Sequence, residues 1–238
     1  AVRYRDALGT CDNHSIYKNG AKEIADAHGK SLTFMAKYNE REGNSCHIHL
    51  SVRGTDGAAV MADKDRPNGF SKLMEHWIAG QLATLRELTL FLAPNINSYK
   101  RYVEGSFAPT AVAWGVDNRT CALRVVGHGH SLRVENRVPG GDVNQYLAVA
   151  ALIAGGLYGI EHELELEPML EGNAYVSGAP RVPSTLREAA ELFAASEVAS
   201  VAFGEDVVAH YLNNARIEQA AYDAAITDWE RVRGFERL

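Results

Sequence analysis

Two short runs hold the residues best suited to chemistry. Asn118-Arg119-Thr120-Cys121-Ala122-Leu123-Arg124 and Leu132-Arg133-Val134-Glu135-Asn136-Arg137-Val138 both alternate at strand period and together carry four arginines and one carboxylate. Side chains two apart on a strand share a face. Arg133, Glu135 and Arg137 are therefore expected to project together, with Val134 and Val138 turned the other way. A guanidinium fork fits carboxylate and phosphate, so such a face is suited to holding an anion. The carboxylate can pair with the arginines or bind a metal that the anion also touches. A plain salt-bridged, solvated strand face uses the same residues, and the run alone leaves both readings open.

Three further segments add polar groups. His47 and His49 are two apart in Cys46-His47-Ile48-His49-Leu50-Ser51-Val52, with Ser51 next in the same row. That spacing puts two imidazoles on one side of a strand, where they can ligate a metal or meet a phosphate. Glu42-Gly43-Asn44-Ser45, just before, is a polar loop able to turn backbone N–H groups toward an anion. Arg101, in Asn97-Ser98-Tyr99-Lys100-Arg101, is another candidate anion clamp or else an exposed loop arginine. A second His-x-His pair, His128 and His130, falls in a glycine-rich turn and reads as incidental.

The elements that must position these residues come from periodicity and punctuation. Helices are expected over 3–29, 69–93, 143–166, 185–196, 205–212 and 213–232, with Gly29 and Pro94 as stops. The clearest is 69–93, where Phe70, Leu73, Met74, Trp77, Ile78, Leu82, Leu85, Leu88 and Leu92 follow helical spacing. Strands are expected at Ser31 to Ala36, at Cys46 to Val52 and in the two arginine runs, and 172–184 reads as a loop. The strands come as hairpin-like neighbours, so the expected class is α+β, an antiparallel β-sheet backed by helices.

At 238 residues the chain can bury a large core, and its formal charge of −6 argues against a nucleic-acid binder. Three cysteines with no CxxC pair fit a reduced, cytoplasmic compartment. The longest apolar run, Tyr146 to Ile160, is too short for a bilayer and contains Gly155, Gly156 and Gly159, so a buried helix is expected there and no membrane partner. The chain opens Ala1-Val2-Arg3-Tyr4, without an apolar leader or an initiator Met, which points to a fragment or a processed chain.

Taken in order, Gly43-Asn44-Ser45-Cys46-His47-Ile48-His49-Leu50-Ser51, then Asn97 to Arg101, Trp114-Gly115-x-x-Asn118-Arg119, Arg133-x-Glu135-x-Arg137 and Gly141 to Ala148 resemble the catalytic domain of the glutamine synthetase superfamily. The resemblance covers essentially the whole chain, including the tail Trp229 to Glu236. It implies a glutamine synthetase/guanido kinase-like catalytic domain over 1–238, without the N-terminal β-grasp domain or the upstream glutamates that bind metal.

What the resemblance implies chemically is an ATP-dependent ligase that makes a γ-glutamyl phosphate and then displaces phosphate with an amine. Its substrates would be glutamate, ATP and an amine or ammonium, its metal Mg2+ (or Mn2+), and its parent a homo-oligomer, dodecameric by family habit. By matching positions, His47 and Glu135 correspond to metal ligands. Arg101 and Arg137 correspond to glutamate and γ-phosphoryl contacts, and Gly43 to a backbone contact to glutamate. Arg119, Arg124 and Arg133 correspond to phosphate contacts, with His49 and Ser51 on the nucleotide side.

Two departures matter. Phe107, in Glu104-Gly105-Ser106-Phe107-Ala108-Pro109, stands where ammonia-using members carry a flap glutamate that helps bind and deprotonate ammonium. Phenylalanine offers neither charge nor base, which favours an organic amine as acceptor. The alternatives are an ammonia-using glutamine synthetase, with Glu104 standing in, and a catalytically silent ring-forming homologue. The missing upstream ligands imply little or no activity for the chain alone. Tyr175 lies near a tyrosine that is adenylylated in some bacterial members, but its surroundings differ, and a packed loop tyrosine is the expected role.

Overall fold

The computed structural model describes residues 2–237; Ala1 and Leu238, the two ends of the expected domain, lie outside them. Four strands form one sheet in the order β1-β4-β3-β2: β1 (Ile48–Leu50), β2 (Trp114–Val116), β3 (Leu123–Val126) and β4 (Arg133–Asn136). The class is α+β as expected, and the β1–β4 and β3–β4 pairs are antiparallel. The β2–β3 pair is parallel, a departure from the all-antiparallel expectation. The loop between them explains it. Asp117 takes a left-handed φ of 52°, and Asn118 Oδ1 accepts hydrogen bonds from Thr120 N and Oγ1 at 3.0 and 2.7 Å. The chain is thereby folded back to re-enter the sheet in its original direction. The first arginine run is consequently loop through Ala122 and strand only from Leu123.

Alternation splits the sheet into two chemical faces. Leu123, Val125 and Val134 are buried on one side with Met74, Trp77 and Ile78 of α2 (Lys72–Thr84). Asn136 joins that side and donates to Gln81 Oε1 at 3.4 Å. Against α2 lies α5 (Gln145–Glu161), whose start is capped by the Asn144 side chain at Tyr146 N and Leu147 N. The two helices touch backbone to backbone at glycines. A Cβ at Gly80 would sit 2.2 Å from Gly155 O, and one at Gly159 would sit 2.0 Å from His76 O. Only glycine allows that approach, and it explains why the apolar Tyr146–Ile160 run carries so many. Among the described residues no helix is long and apolar enough to cross a membrane.

Most of the remaining helices close a second core. Those that contribute to it are α3 (Thr89–Leu92), α4 (Ile96–Tyr99), α6 (Leu186–Ala194), α7 (Glu197–Phe203) and α8 (Glu205–Ala224), whereas α1 (Ala7–Ala27) lies beside the start of α5 and α9 (Asp228–Arg237) exposes Trp229, Val232 and Phe235. Phe91 is the hub of this core, with edge-on contacts to Phe193, Phe203 and Tyr211 at 4.9, 5.0 and 5.1 Å between centroids.

Several expected boundaries move for local reasons. The first helix begins at Ala7 because Asp6 caps it, accepting from Gly9 N at 2.8 Å. Ser31 to Ala36 is not a strand: Leu32 and Met35 are exposed, and Ala36 O takes Asn44 N instead of a sheet partner. The expected 69–93 helix starts at a Ser71 cap and breaks after Thr84. Thr84 and Thr89 hydroxyls there bond back to Gly80 O and Leu85 O at 2.9 and 2.6 Å, a pattern that bends helices. The expected break at 212/213 does not occur; α8 runs on to Ala224, and α7, capped by Ser196, went unforeseen.

Candidate active site

The polar face of the sheet is a single cross-strand row. His49 of β1 and Arg124 of β3 both stand opposite Glu135 of β4. Around that register the structure gathers His47, His49, Arg124, Arg133, Glu135 and Arg137; the period of two set which residues of each strand share a face, and the pairing register brings the strands' sets together.

Glu135 is only 3% exposed. Its Oε1 receives Arg137 Nη1 at 3.0 Å and faces His47 Nδ1 at 3.1 Å and His49 Nε2 at 3.5 Å. Its Oε2 receives Arg124 Nη1 at 3.0 Å. Burial alone would raise this carboxyl, but the His47 hydrogen bond, the Arg137 charge and the Arg124 hydrogen bond together hold it well below the usual carboxylate range. It is an anion throughout the neutral range. Arg124 is also shared with Asp117, which bonds both its Nε and its Nη2.

His49 goes the other way. Burial lowers its pKa, Arg133, His47 and Arg124 add to that, and only Glu135 opposes. It is neutral at pH 7, so its Nδ1 can accept from Arg133 Nε at 3.3 Å while Nε2–H points to Glu135. Ser51 continues the row beyond β1 beside Tyr4, whose hydroxyl is lowered by hydrogen bonds to Arg53 and Ser51.

Arg101 lies one layer away and is 3% exposed. Its Nη2 donates to Val138 O and, at 3.3 Å, to Arg137 O, while its Nε is buried without a partner. Gly43 makes room for it: a Cβ there would meet Arg101 Cγ at 2.6 Å. Gly43 and Arg101 are thus brought together. Arg119 joins differently from the others. Its carbonyl accepts from Arg137 Nε at 3.1 Å, while its side chain is exposed and lines an open depression with Val116, Asp117 and Asn118.

The turn bearing Phe107 closes the near side. Arg137 Nη2 donates to Phe107 O at 3.1 Å, and the ring is 56% exposed. Glu104 faces Arg181 at 3.9 Å. Tyr175 is the packed loop tyrosine expected: it is 5% exposed, and its hydroxyl donates to Ala108 O at 3.0 Å. Sequence reasoning passed over Asp117, Tyr175 and Asp142 as site residues. Asp142 Oδ2 accepts from Asn95 Nδ2 and Ser98 Oγ at 2.9 and 2.6 Å, tying α4 to the start of α5 beside Arg101. Only the Gly-Asp pair before Asn144 marked it.

Chemically the face is a cationic cradle with one fixed carboxylate, suited to a dianionic group such as a phosphoryl. It does not by itself make a metal site. Glu135 spends both oxygens on arginines and histidines, and no group of three or more metal-type ligands is found among the described residues. His47, with Nδ1 on Glu135, still offers Nε2 as a donor.

A family model for the glutamine synthetase catalytic domain matches residues 1–233. A γ-glutamylethanolamide synthetase, GlnA4 of Streptomyces coelicolor, is 64% identical over 238 residues, which is 100% of this chain and 51% of that protein. A glutamate–isopropylamine ligase of a Pseudomonas species is 40% identical, covering 98% of this chain and 52% of its own. Among solved structures, an ADP complex of GmaS superposes with a TM-score of 0.91 at 33% identity, over 98% of this chain and 56% of that one. The chain thus spans about half the length of the relatives it matches.

Proposed function

The chain belongs to the glutamine synthetase catalytic-domain family, and from that premise we propose that it is the anion-handling part of an ATP-dependent γ-glutamyl–amine ligase. In the reaction, a glutamate γ-carboxylate oxygen attacks the γ-phosphorus of ATP, forming a C–O–P linkage and releasing ADP. An amine then attacks the acyl carbon, the acyl C–O bond breaks, phosphate leaves and the nitrogen gives up a proton.

The chain's residues match the charge in each step. Arg101, buried against Gly43, would contact glutamate. Arg137 would receive the γ-carboxylate and its phosphoryl, and Arg119 would reach the transferring group from the open depression. Arg124, Arg133 and His49, clustered by their bonds to Glu135 and to one another, would face the nucleotide phosphates, with Ser51 farther along. Preorganised guanidinium groups aimed at developing negative charge are the main catalytic means in phosphoryl transfer. A divalent ion, Mg2+ or Mn2+, would neutralise phosphate charge. His47 and Glu135 would supply two of its donors.

The observation that carries the choice of acceptor is Phe107, a neutral ring where a flap carboxylate would serve ammonium, its carbonyl held by Arg137. A ring can seat an alkyl chain and still attract a cation through its face. The names of the relatives, an ethanolamide synthetase and an isopropylamine ligase, support a small primary amine. The test is phosphate release by the full-length form with ATP, magnesium and glutamate, comparing ethanolamine and putrescine with ammonium. Turnover with an organic amine and little with ammonium is expected. Ammonium turnover at the rate of the best amine would make it a glutamine synthetase with an altered flap, and silence with every acceptor would favour a non-catalytic homologue.

A further inference from the structure

Phe107 has a left-handed φ of 58°, two residues after Gly105 at 79°. A bulky residue is strained there, so the surroundings must hold it. Two hydrogen bonds do so on consecutive carbonyls. Arg137, part of the anion site, donates to Phe107 O at 3.1 Å, and Tyr175, outside it, donates to Ala108 O at 3.0 Å.

Tyr175 is itself anchored. It lies in a 3-10 turn, Ala174–Val176, whose Ala174 N donates to Thr120 Oγ1 at 2.9 Å. Arg181 donates to Tyr175 O at 2.6 Å and to Thr110 Oγ1 at 2.8 Å. Backbone bonds Val112 N to Pro180 O and Val182 N to Thr110 O, at 2.7 and 3.1 Å, join the two segments. The turn bearing Phe107 is therefore backed by a hydrogen-bonded strap.

The two bonds are not equivalent once substrate arrives. Arg137 is a charged donor inside the anion site, and an acyl phosphate competes for it better than a neutral carbonyl can. Tyr175 is buried and cannot be drawn away. Burial pushes its hydroxyl up, against a backbone hydrogen bond at Phe107, so it stays a protonated donor. We propose that Tyr175 is a positioning residue that fixes the Phe107 wall, and with it the seat of the acceptor amine, while Arg137 is engaged by the acyl phosphate. This rests on the amine-ligase reading of Phe107 and adds the group that would set its position.

Tyr175→Phe removes the hydroxyl and keeps the ring, and it is tested in two ways. Hydrogen exchange on this chain is expected to quicken over 104–112 by about 3- to 10-fold, the loss of one buried hydrogen bond, with α2 unchanged as evidence of an intact fold. In the full-length form the acceptor KM is expected to rise by a similar factor, with the KM values for ATP and glutamate unmoved. Unchanged exchange over 104–112, or equal rises in all three KM values, would overturn the proposal, the latter marking Tyr175 as support for the fold alone. If the wild type turns out to prefer ammonium, the amine reading falls by itself. A rise confined to the ammonium KM in Y175F would then still support Tyr175 as positioner, and no such rise would sink it.

Discussion

Glu135 keeps a negative charge at 3% exposure because Arg137, Arg124 and His47 surround it, and each of those groups relies on it in return. Glu135→Gln would retain the shape and leave two guanidinium groups short of a counter-charge. Removing one partner of a buried pair costs about 3–5 kcal/mol, and the low end is expected since Asp117 still pairs with Arg124. Urea unfolding midpoints at constant m would measure it; a loss below about 0.5 kcal/mol, the range of ordinary surface changes, would contradict it. Glu135 and His49 set an acid profile. Glu135 has a folded pKa below its unfolded value of about 4.3, so its contribution is full above that value and lost as pH falls further. His49 is likewise depressed, below an unfolded value of about 6.5, burial being the first cause. Its contribution is present above about 6.5 and fades as pH drops through the folded value. His49→Gln is therefore expected to flatten the upper part of the stability–pH curve and leave the carboxylate part. Thermal melts between pH 4 and 8, a range of about two units either side of that imidazole's onset, would show whether the upper part survives. Phe107→Glu, at an exposed ring, is expected to leave stability nearly unchanged while shifting acceptor preference toward ammonium in the full-length form; an unshifted ratio of the two kcat/KM values would remove Phe107 from acceptor choice. The sets His47 with His49 and Arg133 with Glu135 and Arg137 could be read in the sequence because a strand's period of two decides which of its own side chains share a face, while the register that brings His49 and Arg124 to Glu135 belongs to the fold. Tyr175, Asp117 and Asp142 could not be read there, since each acts on a partner fixed by the fold: Ala108, Arg124 and Ser98.

Elements on either side of the sheet do different work, and the glycine-lined seam between α2 and α5 is the one with least tolerance. A Cβ at Gly80 would be 2.2 Å from Gly155 O, 2.4 Å from Gly159 N and 2.5 Å from Gly159 Cα, all backbone atoms that cannot swing aside. Gly80→Ala improves helix propensity by about 0.8–1.0 kcal/mol, yet overpacking of a close interface costs about 1–3 kcal/mol or more. The clash wins because the helices must separate along their length to relieve it. A lower melting temperature with weakened packing of Trp77 is expected, and an unchanged or raised one would show that the seam can yield. Those helices were legible from their apolar spacing, and the class of the fold from the neighbouring strands. What the spacing did not carry was direction and interruption. The parallel β2–β3 pair depends on a left-handed Asp117 and an Asn118 turn, and the gap after Thr84 on threonine hydroxyls competing for backbone carbonyls. Ser31 to Ala36 has strand composition but finds its hydrogen bonds in the neighbouring loop. Each of these outcomes was decided by which partner the fold brought near.

Across the whole molecule, a chain of net charge −6 presents a face built from Arg124, Arg133 and Arg137 around one carboxylate. The negative remainder makes that face a local attractor, and anions are drawn to it over a distance set by salt, about 8 Å at physiological ionic strength. Such a face can bind the phosphates of a nucleotide without any other part of a ligase. Turnover asks for more, since phosphoryl transfer needs its charge neutralised by a divalent ion, and no complete metal site exists among the described residues. Binding and catalysis should therefore separate in the 238-residue chain. It is expected to bind ADP weakly by calorimetry, with an affinity that falls as salt rises and falls again in Arg124→Gln. Magnesium should add little to that affinity, and phosphate release with glutamate and any amine should be at background. The full-length form should show both magnesium-dependent binding and turnover. Turnover of the isolated chain at the full-length rate would mean that every group the reaction needs lies within these residues, and that Glu135 exchanges its arginines for a metal once nucleotide is bound. Binding that ignores salt would instead argue that the arginine face is structural, held together by Glu135 for the sake of the sheet.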